Sequence, residues 1–331
     1  MLRELLGYRG WKVWASYNMH VCLLTLFYVL LAEDLSVLLP SLVLISSLGF
    51  YFMYGFLIND FFDMPFDIAA GKRRAVHKLP RVMFVAIILL VVFISALHLL
   101  YLRTPHFIVV YSFAYVLATL YSAPPTRLKT RGAVGIVTNG LIEKALPVFA
   151  IFCYFQHFTP DAYVFVAAAF LAELVEIMTH QILDYEADVK TGVRTFVTDV
   201  GLNAAFKIYR GVVCPATAVA MLLVCVLICS LMRYAAFVVV GVLAAYPALV
   251  LLIRTGRIQR GKKAIPLYMS WLYVLFYSAL PVFLALVLVF RSFSNTPLLL
   301  VALASQYYIV KYNLNSLKKR ELIHFEIFAD T

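Results

Sequence analysis

Long apolar runs separated by short polar stretches dominate this chain. About nine of these runs approach the roughly 20 residues that an α-helix needs to cross a bilayer. A shorter tenth run, 297–310, is compatible with a re-entrant helix, an interfacial helix or a last span. The pattern predicts an all-α membrane protein whose spans are 16–32, 35–58, 82–102, 105–122, 135–155, 160–183, 204–232, 234–253 and 267–290.

The composition supports the same class of protein. Of the 331 residues, 64% are hydrophobic and only 14% are charged, whereas soluble domains are about 45–50% apolar and about 25% charged. The chain has 5 cysteines, without a C-x-x-C pattern, and most lie in apolar runs. They are typical of small core residues and favour neither a disulfide framework nor a metal site. We expect one polytopic domain over residues 1–331.

Basic residues divide the polar loops into two sets. The N-terminus and the loops at 59–81, 123–134, 184–210 and 254–263 hold most of the Lys and Arg, whereas the alternate loops hold only Arg103, Arg233 and Arg291. The positive-inside rule therefore makes the first set cytoplasmic. The net charge of +11 then reflects topology and contact with anionic lipids of the bilayer, and it does not indicate nucleic-acid binding.

Two clusters of carboxylates follow apolar runs on the predicted cytoplasmic side. Asp60, Asp63 and Asp67 follow the second run, and Asp184 and Asp188 follow the sixth. Side chains four apart share a helix face, so these carboxylates repel one another unless a cation lies between them. An all-oxygen ligand set suits Mg²⁺, which binds a few carboxylates together with substrate phosphates. The clusters therefore predict a magnesium site that binds and ionises a diphosphate.

The two clusters also indicate an internal repeat. Each ends a predicted span and is followed by a basic loop, AGKRRAVHK after the first and KTGVR after the second. We expect two pseudo-repeated four-helix units, each contributing one cluster to a central cavity under cytoplasmic cap loops.

The sixth run carries a polar stripe that leads to the second cluster. Glu173, Glu176 and His180 are three or four residues apart, so they share one helix face. Ionisable residues inside a span usually line a cavity or pair with one another. The stripe is therefore compatible with a pocket for a second substrate, from whose hydroxyl group His180 would take a proton as a general base. It is equally compatible with a structural network that includes Glu143 and Lys144.

Three motifs occur in order along the chain: NDFFDMPFD at 59–67, YSAPPTRLK at 121–129 and DYEAD at 184–188. Together they resemble the motifs of the UbiA superfamily of intramembrane prenyltransferases. The resemblance implies that Mg²⁺ holds a prenyl diphosphate between the two aspartate motifs. Departure of the diphosphate would then give an allylic cation, which an acceptor captures.

The motifs and the stripe together define the candidate site residues. The candidate metal ligands are Asn59, Asp60, Asp63, Asp67, Asp184 and Asp188. The candidate catalytic residues are Asp63, Asp67, Asp184, Asp188, His180 and Glu176. The candidate substrate-binding residues are Asn59, Lys72, Arg73, Tyr121, Arg127, Lys129, Asn139, Lys190 and Arg194.

The sequence leaves the acceptor, the prenyl chain length and the oligomeric state open. The stretch after the first motif is AGKRRAVH. Members of the family that act in quinone pathways usually have a stretch similar to RTxxRP at this place, so the resemblance does not extend to their acceptors. Within the superfamily, a terpene cyclase and a phosphoribosyl transferase acting on polyprenyl phosphate remain alternatives, and a membrane transporter is the alternative from another class. We expect a multi-pass protein, in the inner membrane if the source is bacterial, with a cytoplasmic active site.

Overall fold

The computed structural model describes residues 8–69, 79–256 and 265–318, and this part of the chain consists of helices and their connecting turns. The prediction of an all-α protein is confirmed. The helices are α1 Tyr17–Ala32, α2 Leu38–Ala69, α3 Arg81–Tyr101, α4 Pro105–Ser122, α5 Ala133–Phe155, α6 Pro160–Leu183, α7 Tyr185–Thr191, α8 Phe196–Val200, α9 Leu202–Leu231, α10 Ala235–Arg254, α11 Leu267–Arg291, α12 Thr296–Ser305 and α13 Tyr307–Lys318.

Among the described residues, 8 helices are long and apolar enough to cross a membrane, namely α2–α6 and α9–α11. The ninth predicted span is α1, which is apolar but has only 16 residues. Sixteen residues rise about 24 Å, less than the roughly 30 Å of bilayer hydrocarbon. The membrane fold is confirmed, whereas the count of nine spans and the two four-helix repeats stay predictions.

Two predicted boundaries differ from the structure. Helix α2 has 32 residues and a length of about 48 Å, so it continues past the predicted end at residue 58. The first aspartate motif therefore lies on the last turns of a spanning helix and not in a loop. The apolar run at 297–310 is divided between α12 and α13, because the chain turns at Gln306, and neither helix has the length of a span.

The buried core and the apolar outer surface lie on different helices. Almost all of α1 is buried, as expected of a helix that is hydrophobic all round. The apolar window of α5 is 72% buried, whereas that of α10 is only 6% buried. The exposed side chains on α3 and α10 include Leu89, Phe93 and Phe237, and an apolar surface of this extent suits contact with lipid.

Three spanning helices contain a π-helical turn, and each turn precedes a proline. Pro147, Pro215 and Pro281 lie two residues beyond the turns in α5, α9 and α11. A proline inside a helix lacks an N–H group and clashes with the carbonyl of residue i−4, which favours a wider turn. For Pro281 that carbonyl belongs to Tyr277, and Nε2 of Gln306 donates to it at 3.0 Å. The π-turns are Leu141–Ala145, Tyr209–Val213 and Leu275–Ala279.

Candidate active site

The last turns of α2 form one wall of a large cavity. Asn59, Asp63 and Asp67 are four residues apart, so they lie on one face of the helix, and all three line a cavity of about 710 Å³. The side chain of Asp63 is 19% exposed, and Asp67 is buried. Carboxylates of this degree of burial require positive partners or hydrogen bonds.

The end of α6 and the short helix α7 form another part of the cavity wall. The N–H of Asp184 donates to the carbonyl of His180 at 2.9 Å, and the N–H of Asp188 donates to the carbonyl of Asp184 at 2.9 Å. Helix α7 ends at Thr191 and is followed by Gly192, whose φ of 69° is the left-handed conformation typical of a glycine after a helix. This chain path brings Asp184 and Asp188 into the cavity wall.

Two basic residues from the loop between α4 and α5 bind the first motif. Nη2 of Arg127 lies 2.9 Å from Oδ1 of Asp63, and Nζ of Lys129 lies 2.5 Å from the same carboxylate. Nζ of Lys129 also donates to Oδ1 of Asn59 at 2.9 Å, while the Arg127 guanidinium lies 4.0 Å from the ring centre of Phe66. Burial lowers the pKa of Lys129, and the neighbouring Asp63 carboxylate partly opposes that shift.

Ten of the predicted site residues share this cavity. They come from both aspartate motifs, from the end of α4 and the loop after it, from the end of α6, and from the chain between α7 and α8. A single site therefore offers acidic residues for a metal ion and basic residues for the oxygens of a diphosphate. The ten residues are Asn59, Asp63, Asp67, Tyr121, Arg127, Lys129, His180, Asp184, Asp188 and Arg194.

Other predicted residues lie elsewhere. Asp60 is fully buried and accepts a hydrogen bond from the Tyr8 hydroxyl at 3.2 Å, and it does not line the large cavity. Lys190 is exposed on α7 outside the cavity wall. Asn139 lines a second, smaller chamber. Two further predicted residues, Lys72 and Arg73, lie outside the described residues.

The polar stripe of α6 is divided between two environments. His180 is exposed and lines the large cavity. Glu173 and Glu176 instead surround the fully buried Lys144, whose Nζ is 3.1 Å from Glu173 and 2.5 Å from Glu176. The Tyr277 hydroxyl also donates to Oε1 of Glu176 at 2.9 Å. A buried ammonium needs such partners. Glu173 and Glu176 therefore have the contacts of a structural network, which was one of the two interpretations of the stripe.

The donor atoms of the cavity suit Mg²⁺, although they are not gathered into a metal cage. Within the described ranges, no three His, Cys, Asp or Glu side chains form a group that would hold one ion. Asp63 is engaged by Lys129 and Arg127 instead. The candidate ligands from both motifs are all oxygens, and oxygen donors completed by substrate phosphates are the preferred environment of Mg²⁺. The residues therefore fit the ion by chemistry.

The sequence did not predict the ion pair between Arg194 and Asp199. The Arg194 guanidinium binds Asp199 through Nε at 3.1 Å and Nη2 at 3.2 Å. Gly132 has a φ of 53°, and a Cβ at this position would collide with the Asp199 carboxylate. The Asp199 carboxylate thus lies close to Gly132, just before α5, while it binds Arg194. The glycine at position 132 is a local signal of a close contact, but the residue that it contacts, Asp199, is 67 residues away in the sequence.

The fold and the cavity together define a class of protein. This is a polytopic helical membrane protein with an acidic and basic cavity at the ends of its spans. The model of the UbiA prenyltransferase family matches residues 21–273. The chain therefore belongs to the UbiA prenyltransferase family, which confirms the resemblance predicted from its motifs. No curated protein matches the chain.

Solved structures of a UbiA homolog from Archaeoglobus fulgidus have a similar fold. The structure bound to DMAPP and Mg²⁺ has a TM-score of 0.55 and 16% identity, and the match covers 82% of this chain and 98% of that chain. The structure bound to GPP and Mg²⁺ has a TM-score of 0.51 and 17% identity, covering 82% and 99%. The Cd²⁺-bound structure has a TM-score of 0.54 and 18% identity, covering 80% and 95%. Similarity at this level supports the fold.

Proposed function

We propose that the protein is a Mg²⁺-dependent prenyltransferase that moves an isoprenoid chain from a prenyl diphosphate to an acceptor within the membrane. One observation carries this proposal: acidic residues of two distant motifs and basic residues of a third segment line one cavity. Family membership and the prenyl diphosphates bound by the Archaeoglobus fulgidus homolog support the same substrate class.

The basic side chains of the cavity are suited to the leaving group. Arg127 and Lys129 already lie against an oxyanion, the carboxylate of Asp63. A diphosphate at this place offers them equivalent oxygens, and positively charged donors stabilise the charge that develops as the C1–O bond breaks. Arg194, which also lines the cavity, is the third donor in this proposal.

The aspartates are suited to the metal. Asn59, Asp63 and Asp67 on one wall and Asp184 and Asp188 on the other would hold it through oxygen atoms. Bound Mg²⁺ neutralises the diphosphate and makes it a better leaving group. Asp60 is a weaker candidate, because its carboxylate is buried against Tyr8 outside the cavity wall.

In the proposed reaction, C1 of the prenyl chain loses its bond to the diphosphate oxygen and gains a bond to the acceptor. The C1–O bond breaks and its electron pair leaves on the diphosphate, so an allylic cation forms. An electron pair of the acceptor makes the new bond to C1, and the acceptor then releases a proton. His180 lines the cavity and has the chemistry to accept that proton. Water has to be excluded until capture, because it competes for the cation.

The proposed orientation has the cavity on the cytoplasmic side. The loops that carry Arg127, Lys129 and Arg194 belong to the basic set, and such loops face the cytoplasm. In a bacterium the membrane is then the inner membrane, and residues 1–331 form one domain.

Mass spectrometry of reaction products tests the function. Purified protein in lipid is incubated with Mg²⁺ and a panel of allylic diphosphates, with and without small aromatic acceptors. We expect a prenylated acceptor together with free diphosphate. A cyclised hydrocarbon formed without acceptor would instead indicate a cyclase, and a ribosylated lipid formed from phosphoribosyl diphosphate would indicate the phosphoribosyl transferase. Consumption of none of these substrates, with uptake of a solute into vesicles, would indicate a transporter.

A further inference from the structure

The chain turns back into the bundle after α11. The last residue of α11, Arg291, lies beside the end of α1, because its Nη1 donates to Oδ1 of Asp34 at 2.8 Å and to the carbonyl of Leu31 at 3.3 Å. This end of α1 is joined to the start of α2, whose last turns line the cavity. Arg291 and the start of α12 therefore lie on the far side, which is the side of the bundle opposite the cavity.

Helix α12 runs from the far side into the interior. At its end, Nε2 of His20 donates to the carbonyl of Ser305 at 3.0 Å, and Nε2 of Gln306 donates to the carbonyl of Tyr277 at 3.0 Å. His20 is 12 residues from the end of α1, and Tyr277 is 14 residues from the end of α11. These separations correspond to about 18 Å and about 21 Å along the two helices. The turn at Gln306 therefore lies about two thirds of the way across a hydrocarbon layer of roughly 30 Å.

Side chains of neighbouring helices complete hydrogen bonds of the backbone at this turn. His20 is fully buried, and Ser305 and Gln306 are 3% and 8% exposed. Backbone groups that an interrupted helix frees inside a bilayer have to be satisfied by protein. His20 donates to the last residue of α12, and Gln306 donates to the carbonyl of Tyr277, to which Pro281 offers no N–H. A turn with these partners is typical of a break within a span, because a turn in water does not need them.

Helix α13 has to leave the hydrocarbon on the cavity side. About 10 Å of hydrocarbon remain between the turn and that side, a distance that about seven helical residues cover. Lys311, the fifth residue of α13, is exposed, and from this depth its ammonium group reaches the headgroups. A path back toward the far side would carry the same charge to the middle of the bilayer, where a lysine is costly.

The N-terminal segment marks the cavity side independently. The Tyr8 hydroxyl donates to Oδ2 of Asp60, in the first aspartate motif, at 3.2 Å. The 3₁₀-helix Arg9–Ala15 leads from there to α1, and Nζ of its Lys12 lies 5.8 Å from the ring centre of Tyr308. Helix α13 therefore begins beside a segment that enters from the cavity side.

The charge of the sequence after α12 favours the same direction. Residues 307–320 include Lys311, Lys318, Lys319 and Arg320 but no Asp or Glu. The basic set of loops is on the cavity side, and the alternate loops hold few Lys and Arg. An end of α13 on the far side would therefore contradict the charge asymmetry of the other loops.

We propose that α12 and α13 together form one further span, broken at Gln306, and that α13 ends on the cavity side of the membrane. The basic residues of α13 then lie at the headgroups of the same leaflet as the basic loops, where anionic lipids attract them. This path of the chain does not depend on the proposed function, and its test needs no substrate.

Labelling of single added cysteines tests the path in the full-length protein. Four native cysteines are buried and Cys229 is half-buried, so wild-type protein gives the background. Sealed vesicles of either orientation are treated with a membrane-impermeant maleimide. The variants are Asn315→Cys on α13, Lys207→Cys as the reference for the cavity side and Ser294→Cys as the reference for the far side, and all three positions are exposed.

We expect Asn315→Cys and Lys207→Cys to be labelled in the same vesicles, and Ser294→Cys only in vesicles of the opposite orientation. The comparison is between positions, so it holds whichever side of the membrane is cytoplasmic. Labelling of Asn315→Cys together with Ser294→Cys would overturn the proposal. Protection of Asn315→Cys in both kinds of vesicle would also overturn it, because α13 would then remain inside the hydrocarbon.

Replacement of Gln306 tests the break itself. Gln306→Leu removes the donor to the Tyr277 carbonyl and should lower the melting temperature by about 2–5 °C. The control Asn315→Leu removes an exposed amide from α13 and should leave the melting temperature unchanged. No shift in Gln306→Leu, or an equal shift in both variants, would overturn the assignment of Gln306 to a break inside the bilayer.

Discussion

The two aspartate motifs line the same cavity in different surroundings. The first lies on the last turns of a continuous spanning helix, and Asp63 is already bound by Arg127 and Lys129. The second lies at the end of α6 and on the seven-residue helix α7, and Asp184 is exposed. Asp63 is therefore fixed by its partners, whereas the side chain of Asp184 is exposed. In the proposed reaction a metal ion would have to displace the partners of Asp63.

Removal of metal should have the largest effect, and it should affect both motifs alike. We expect chelation by EDTA to abolish prenyl transfer and Mg²⁺ or Mn²⁺ to restore it, because converging carboxylates repel without a cation. The measurement is product formation before and after metal is added back. Full activity in chelator would remove the proposed role of the two motifs.

Neutralising one aspartate from each motif should separate stability from activity. Asp63→Asn and Asp184→Asn should each lower kcat about 10²–10³-fold, as expected when a stabilising electrostatic contact is lost. Only Asp63→Asn should also destabilise the protein, by about 1–3 kcal/mol, because it leaves Arg127 and Lys129 with a weaker partner.

Kinetics and thermal melting of the two variants, measured without ligand, check this difference. Equal melting temperatures would mean that the ion pairs of the first motif add nothing to the fold, and the contrast drawn above would disappear.

Replacing Lys129, a basic partner of Asp63, should raise the affinity for Mg²⁺ but lower the activity. Lys129→Met removes a cation that competes for Asp63, so less Mg²⁺ should half-saturate the enzyme, by about threefold to tenfold. The same change removes a donor to the diphosphate, so kcat should fall about tenfold or more. Lys207→Met, an exposed lysine at the start of α9, is the control. A rise in the Mg²⁺ requirement would contradict the competition.

The smallest expected effect is a change in product ratio when His180, one turn before the second motif, is replaced. His180→Ala should raise the ratio of prenyl alcohol to prenylated product about twofold to fivefold, if loss of a base slows capture of the cation. His180 is exposed, so the melting temperature should change little. A lower melting temperature with an unchanged product ratio would show instead that His180 is structural.

Hydropathy predicted the positions of the 8 helices long enough to span, and the motifs predicted the family and ten of the residues that line the cavity. These features depend on residues close in sequence, such as Asn59, Asp63 and Asp67 on one helix face. The sequence did not predict which polar residues meet across the bundle. Asn18 and Glu143 are 125 residues apart, and periodicity gives no information about contacts over such separations. It also did not predict that Glu176 pairs with Lys144 and does not line the cavity, because a polar stripe on α6 is compatible with either position.

The π-turn in α5 lies between two different environments. Asn139 precedes this turn and lines the chamber, whereas Lys144 lies within it and contacts the acids of α6. An i→i+5 turn holds one residue more than the α-helical turn it replaces. Deleting that extra residue would restore a regular turn and leave the helix beyond it in nearly the same orientation, whereas a deletion in a regular turn would rotate everything beyond it by about 100°. The π-turn is therefore a position in α5 at which the chain can lose one residue without exchanging the side that faces the chamber for the side that faces the core.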